Sequence, residues 1–348
     1  MPKRRSMRYW AERRAIEMKH ELDPVEGTAD ALTALYILAS RQVEKQATDI
    51  VKKFQLEYNL TQKEARRLVS TVIDPADVDA IMKELTKDPR NQELIMQLDS
   101  QAYGARLNQL RKVQRSVDEV TKQIYKKAHP MMTEALAGIT EQSYLDTLFD
   151  MQQMAGIGFE VPPLSPKRVE EIINRPYSGA NYSQRLWANT ERLAQRVKEE
   201  IAVGVLTGKT PHRMAQAIED EFHGGASNSR RLIRTEASYA ANDIQLQMYK
   251  EMGFEKYVYV AILDLRTSEI CRSLDMKKFR VDEAMPGVNY PPMHPYCRST
   301  TVADLPDWLT EGMTRNAVNP ETGELIEVPA NMSYDEWFKK FVKKGARI

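Results

Sequence analysis

Cysteine is nearly absent from this chain of 348 residues, which has two. A disulfide scaffold is thereby excluded, and a reducing compartment is the expected setting. An excess of charge of one sign is lacking too. The 50 Lys and Arg residues face 49 Asp and Glu, for a net charge of +1. That excludes a histone-like protein, so any nucleic-acid contact must come from local patches. No apolar run reaches the ~18 residues that a membrane-spanning helix needs. The basic start, Met1-Pro2-Lys3-Arg4-Arg5, is not followed by the apolar stretch of a secretory signal. Phosphate-loop and dinucleotide fingerprints are missing, as are internal repeats. The expectation is a protein of the cytoplasm or of something assembled there.

The chain has room for two or three domains. Its first twenty residues are basic: Lys3, Arg4, Arg5, Arg8, Arg13, Arg14 and Lys19 face only Glu12 and Glu17. Such a run reads either as a solvated helix start or as a contact for a phosphate backbone or an acidic partner. Tyr9 and Trp10 within it favour docking, because aromatic side chains anchor interface centres.

Helical periodicity dominates the first half. Leu32, Leu35, Ala39, Val43, Ala47 and Ile50 recur at helical spacing from Ala29 to Tyr58. Thr61-Gln62-Lys63-Glu64 reads as a capping box. Tyr103, Leu107, Leu110, Val113, Val117, Val120 and Ile124 form the longest apolar stripe, opposite a basic face. His129-Pro130 is expected to break this helix, and a second one to run from Thr133 to Gln153. Gly156 to Pro166 reads as a linker.

Beyond it, Thr210-Pro211 starts a helix, Gly224-Gly225 reads as a flexible joint, and Gly253 closes the next helix. Strand-like runs follow at Lys256 to Leu263, Lys278 to Val281 and Arg298 to Ala303. The expected fold class is α+β and mostly helical, with a helical N-terminal region, then helices, then a small sheet. Expected domains are 1–160, 161–306 and a C-terminal extension, 307–348, with a short amphipathic helix bearing Trp337.

Both cysteines lie between Tyr257 and Asp304, with His294 nearby. Three readings stand side by side. Cys271, His294 and Cys297, with Asp264 as a fourth, oxygen ligand, make a donor set suited to zinc. Alternatively Cys271 is a nucleophile, His294 its base and Asp264 the orienting group. In the third reading Asp264 caps a turn, the cysteines pack in a small core, and His294 and Arg298 hydrogen-bond to their neighbours.

One ordered set of residues resembles a known family. It comprises Arg234-Thr235-Glu236 with Ala237, Ala240, Gln245 and Gly253, then Asp264-x-Arg266-Thr267-Ser268-x-x-Cys271, then Pro291-Pro292-x-His294-Pro295-x-Cys297-Arg298. With Tyr9-Trp10-x-x-Arg13 and Tyr334-x-x-Trp337, it is similar to the phage minor head proteins with a Mu F-like head-morphogenesis domain. Relatives often have a further cysteine after the Cys-Arg pair, where this chain has Ser299.

The resemblance implies a virion protein inside the head, bound to the portal protein and meeting the major capsid or scaffolding protein and phage DNA. It implies that Arg234, Glu236, Arg266, Thr267 and Arg298 serve the fold rather than chemistry. Trp10 and Trp337 are the expected docking anchors. The alternatives are a nuclease or transferase acting on nucleic acid, and a non-specific DNA-binding protein.

Overall fold

The computed structural model describes residues 7–53, 61–70, 80, 83–84, 87, 101–155, 163–207, 209–304, 314–320, 322, 324–329 and 332–342. Lys3, Arg4, Arg5, most of the 156–166 linker and Lys343 onwards lie outside these residues, as do the side chains of Arg8, Tyr9, Tyr103 and Leu107.

Among the described residues the chain is α+β and mostly helical. Helix α1 is Met7–Lys53, α2 Gln62–Ser70, α3 Gln101–Ala155, α4 Pro166–Ile173, α5 Tyr182–Leu206 and α6 Pro211–Glu251. Strand β1 is Lys256–Val260, followed by α7 (Glu269–Leu274), β2 (Lys278–Arg280), β3 (Thr300–Ala303), β4 (Thr314–Val318), β5 (Leu325–Pro329) and α8 (Tyr334–Trp337). The three strand expectations before Asp304 are met within a few residues.

Two expected helix breaks do not occur, and the first helix begins earlier than its apolar periodicity suggested. Helix α1 starts at Met7 instead of Ala29 and carries Pro24 inside; α3 carries Pro130 inside; α6 runs through Gly224 and Gly225. A proline removes one helical donor and crowds the carbonyl four residues back. Both prolines are exposed, as are His20 and Lys126, whose carbonyls they free, so water can satisfy them. Buried Leu22 and Val25, and buried Ala128 and Met132, hold the helix on each side.

The chain divides into two compact units that cut across the linear division at 160 and 306. One unit joins Ala29–Met131 to Ser183–Arg230 and is helical. The apolar stripe packs inside it: Leu110, Val113, Val117, Val120 and Ile124 are buried with Val43, Val197, Ile201, Ile218 and Phe222. Each such side chain contributes about 1.5–3 kcal/mol of burial. The Thr61 capping box is present, with the Glu64 amide donating to Thr61 Oγ1 at 3.3 Å and the Thr61 amide to Glu64 Oε2 at 3.0 Å. Gly225 is there for space, not for flexibility. A Cβ on it would stand 2.8 Å from Tyr36 Cε1, and the Tyr36 hydroxyl is tied to Ser229 Oγ at 2.7 Å.

The other unit comprises Met1–Thr28, Met132–Tyr182 and Arg231–Ile348. Its sheet has the order β2-β1-β3, antiparallel throughout, with Tyr257 opposite Phe279 and Val258 opposite Val302. Strands β4 and β5 form a separate antiparallel pair. Alternation along β1 sends Val258 and Val260 into a cluster with Trp10, Ala11 and Val302. Tyr259 and Ala261 go into another with Cys271, Met293 and Cys297.

Two tryptophans expected as docking anchors are core residues. Trp10 is 1% exposed and Trp337 0%, the latter packed with Leu263, Ala317, Val328 and Tyr334. An indole already covered by its own chain offers no area to a partner. Arg13 and Arg14, expected to contact phosphate, are likewise engaged inside this unit. Arg14 pairs with Glu21 at 2.5 Å, and Arg13 pairs with Glu17 at 2.5 Å and with Asp150. Helical spacing alone explains it: 10, 14, 18, 21 and 25 share one face, which the fold turns inward.

Candidate metal centre

The site is assembled from α6, α7 and the loop before β3. At the end of β1 the chain turns at Asp264. This carboxylate accepts from Arg298 Nη1 at 2.6 Å and Nη2 at 2.8 Å, from the Arg266 amide at 3.0 Å and from Thr267 Oγ1 at 3.0 Å. Burial by itself would raise the Asp264 pKa; the Arg298 hydrogen bonds outweigh it and hold the carboxyl below its ordinary value. Asp264 is therefore consumed by its turn and by Arg298. It is neither the fourth ligand nor the group that orients His294, and both expectations are corrected on that ground. The Arg266 side chain is exposed and Thr267 is buried.

Ser268 then caps α7, accepting from the Cys271 amide at 3.4 Å. That cap sets Cys271 on the first turn, its side chain buried. The second donor pair comes from the turn His294–Cys297, where the Cys297 amide donates to the His294 carbonyl at 3.1 Å. Tyr296 sits in the left-handed region, φ 61°, which brings Cys297 back under His294. Helix α6 buttresses this turn. The Arg234 guanidinium lies 5.1 Å from the Tyr296 ring centroid, and Thr235 Oγ1 accepts from the Tyr296 amide at 3.4 Å. Further along α6, Gln245 donates to the Thr301 carbonyl at 3.1 Å and accepts from Thr300 and Thr301 hydroxyls, tying the helix to β3. Glu236 is buried on the same helix, two residues from Arg234, which pairs with Glu26 at 2.7 Å.

The result is a compact donor cluster. Cys271 Sγ, a His294 ring nitrogen and Cys297 Sγ all lie within 4.8 Å of one another. Cys271 Sγ is 3.8 Å from Cys297 Sγ and 3.3 Å from His294 Nε2. Both cysteines are free thiols. Two zinc–sulfur bonds of about 2.3 Å at a tetrahedral angle span about 3.8 Å, so the sulfur separation fits a shared ion.

The histidine is oriented for the same purpose. His294 Nδ1 lies 2.8 Å from the Pro295 carbonyl, which can only accept, so the proton sits on Nδ1 and the Nε2 lone pair faces Ser268 Oγ at 2.8 Å and Cys271 Sγ at 3.3 Å. The cluster also favours negative sulfur. Hydrogen bonding from Cys297, followed by Ser268, Ser299 and Tyr259 against the opposing effect of burial, holds the Cys271 thiol down at about 4. Cys297 goes the other way, raised well above its ordinary value by the Cys271 contact and by burial. A thiolate, a second thiol and a lone pair of fixed tautomer are what a soft divalent cation requires. Ser268 stood in the ordered set with no role assigned to it, and none was expected of Tyr259. The N-cap position of Ser268 carried a signal, whereas Tyr259 reaches the sulfur only through the strand register.

As a nucleophile, Cys271 has its base within reach but is 2% exposed, and among the described residues no carboxylate orients His294.

Comparison with known proteins gives two matches. Residues 195–302 match the family described as Phage Mu protein F like protein. Over 219 residues the chain is 25% identical to the NAD(+)–arginine ADP-ribosyltransferase EFV of Enterococcus faecalis (strain ATCC 700802 / V583), an alignment covering 59% of this chain and 44% of that protein. The chain thus spans less than half the length of this curated relative. No solved structure matches.

Proposed function

We propose, from the premise that residues 195–302 are a Mu F-like phage head-morphogenesis domain, that the chain is a minor head protein acting in phage head assembly. The observation that carries the reading is the extent of that match: it contains α6, the sheet and the whole Cys271–His294–Cys297 cluster. In this proposal the protein sits inside the head beside the portal protein and in contact with the major capsid or scaffolding protein. The name of the Enterococcus relative belongs to that protein, and no activity is transferred from it.

A zinc ion held by Cys271, His294 and Cys297 is part of the proposal. When bound, it would supply a cross-link between α7 and the loop before β3, beside a sheet of three short strands. Arg298 and Asp264 keep the two loops in register beside it, and α6 holds the His294–Cys297 turn through Thr235 and Arg234.

The test is composition of purified heads. Heads from wild-type phage should contain the chain in few copies, and a tagged chain should co-purify with the portal protein. Heads that assemble to normal number and infectivity after deletion of the gene, with no chain detected in wild-type heads, would sink the reading.

A further inference from the structure

The residues that resemble the family pattern but serve no ligand role meet at one place. Arg234, Asp264, Arg266 and Arg298 line a cavity of about 590 Å³, within the range of sites that take a sizeable ligand, about 300–1,000 Å³. Its walls are apolar: Ala11, Ala15, Leu22, Leu263, Ala317 and Val318. Among its lining residues Ile16 and Leu325 are 38% and 66% exposed. Exposed leucine and isoleucine at one mouth make an apolar patch of the kind that marks an interaction site.

Charge narrows the occupant. Four cations line or rim the cavity, Lys19, Arg234, Arg266 and Arg298, against three carboxylates, Asp23, Glu26 and Asp264. Arg298 is closed onto Asp264 and Arg234 onto Glu26; Asp23 lies 3.7 Å from His20, an ion pair only when that imidazole is protonated. The side chains of Lys19 and Arg266 have no ion-pair partner among the described residues, and both are exposed. Two uncommitted cations flanking an apolar floor complement apolar side chains with carboxylates beside them. A nucleic acid would leave the floor uncovered, and a small molecule enclosed by the cavity would leave the exposed rim unused. A polypeptide uses both.

We propose that this cavity is the docking groove for an acidic, apolar-anchored segment of another head protein. The inference rests on the head-assembly reading for the source of the segment, and on the groove's own chemistry for its character. It replaces Trp10 and Trp337 as the partner contact: those indoles are buried, and Ile16 and Leu325 are the exposed apolar groups that line the groove.

The test uses the full chain and two labelled, capped helical peptides as probes. Each has leucines at i, i+4 and i+7; glutamates flank them in one and lysines in the other. The glutamate peptide should bind the wild-type chain more tightly than the lysine peptide. Lys19→Glu with Arg266→Glu should weaken glutamate-peptide binding by about tenfold or more and reverse the order. Both positions are exposed, so the melting temperature should stay unchanged. In heads, the double variant should fall by a similar factor in copy number.

A glutamate peptide that does not bind the wild type, or binds both forms equally, overturns the groove. So does a double variant packaged at the wild-type level. A wild-type chain that dimerises, with the double variant monomeric, overturns the other-protein assignment, because the occupant is then a second copy. Charge-dependent peptide binding by a chain absent from wild-type heads supports the groove and overturns the head-assembly reading instead.

Discussion

Glu17→Gln should stabilise the protein at neutral pH. In the buried network, two guanidinium groups, Arg13 and Arg14, face three carboxyls, Glu17, Glu21 and Asp150. Fully ionised, that interior carries an uncompensated negative charge, which is costly out of water. A retained proton removes it. Burial first, then the Asp150 carboxylate, push Glu17 up to about 8 from 4.5. Asp150 is raised as well, by burial first, so the two carboxyls titrate as a pair. Asp146 adds to the repulsion on Glu17.

The sign follows from a raised folded-state value. Between about 4.5 and about 8 the folded chain keeps a proton that the unfolded chain releases. This contribution to stability is fully present below the lower value. It is lost as pH rises through the upper one. The slope is at most about 1.4 kcal/mol per pH unit. At pH 7, some 2.5 units above the unfolded value, the accumulated difference is at most about 3.5 kcal/mol. The amide of the Glu17→Gln variant keeps the shape, stays neutral in both states and escapes that loss. With pairing to Asp150 and partial solvent access, a gain of about 1–2 kcal/mol is expected at pH 7, shrinking toward pH 5. Urea unfolding at pH 5, 7 and 8.5 measures it. A Glu17→Gln chain less stable than wild type at pH 7, or one whose stability falls as steeply between pH 5 and 8.5, would refute the shared-proton argument.

Three further outcomes are expected. Purified chain should carry about one equivalent of zinc by elemental analysis, and Cys297→Ser should lower both metal content and melting temperature; metal-free protein of unchanged stability would leave the two thiols as packing groups. Gly224→Ala should stabilise by about 0.5–1 kcal/mol through helix propensity, since nothing lies within 4 Å of its added Cβ, whereas Gly225→Ala should destabilise by about 1–2 kcal/mol against Tyr36 and Leu193. Equal effects at the two glycines in thermal melts would refute the close-approach argument. Asp264→Asn should cost about 2–3 kcal/mol by leaving Arg298 without its carboxylate, while a loss under about 0.5 kcal/mol would mean that the pair is an incidental surface contact.

What the order of residues determined by itself was local. Periodicity of 3.6 placed the stripe of Leu110 to Ile124, alternation placed β1, and the capping rules placed Thr61 and Gly253, because each depends on neighbours within one turn or one strand. The ordered set from Arg234 to Arg298 marked the Mu F-like domain, and the spacing of Cys271, His294 and Cys297 marked the donor cluster. Tertiary structure decided what those side chains meet. Pro130 was read as a break, yet packing on either side carries the helix through it. Gly225 was read as a joint, yet it is the place where a ring passes too close for a methyl group. Asp264 looked like a ligand until Arg298, 34 residues away, took both its oxygens. Arg13, Arg14 and Trp10 looked like surface because charge and aromaticity were counted along the chain. Whether a helix face turns to water or to the core depends on what the rest of the chain brings against it, and that is a property of three dimensions.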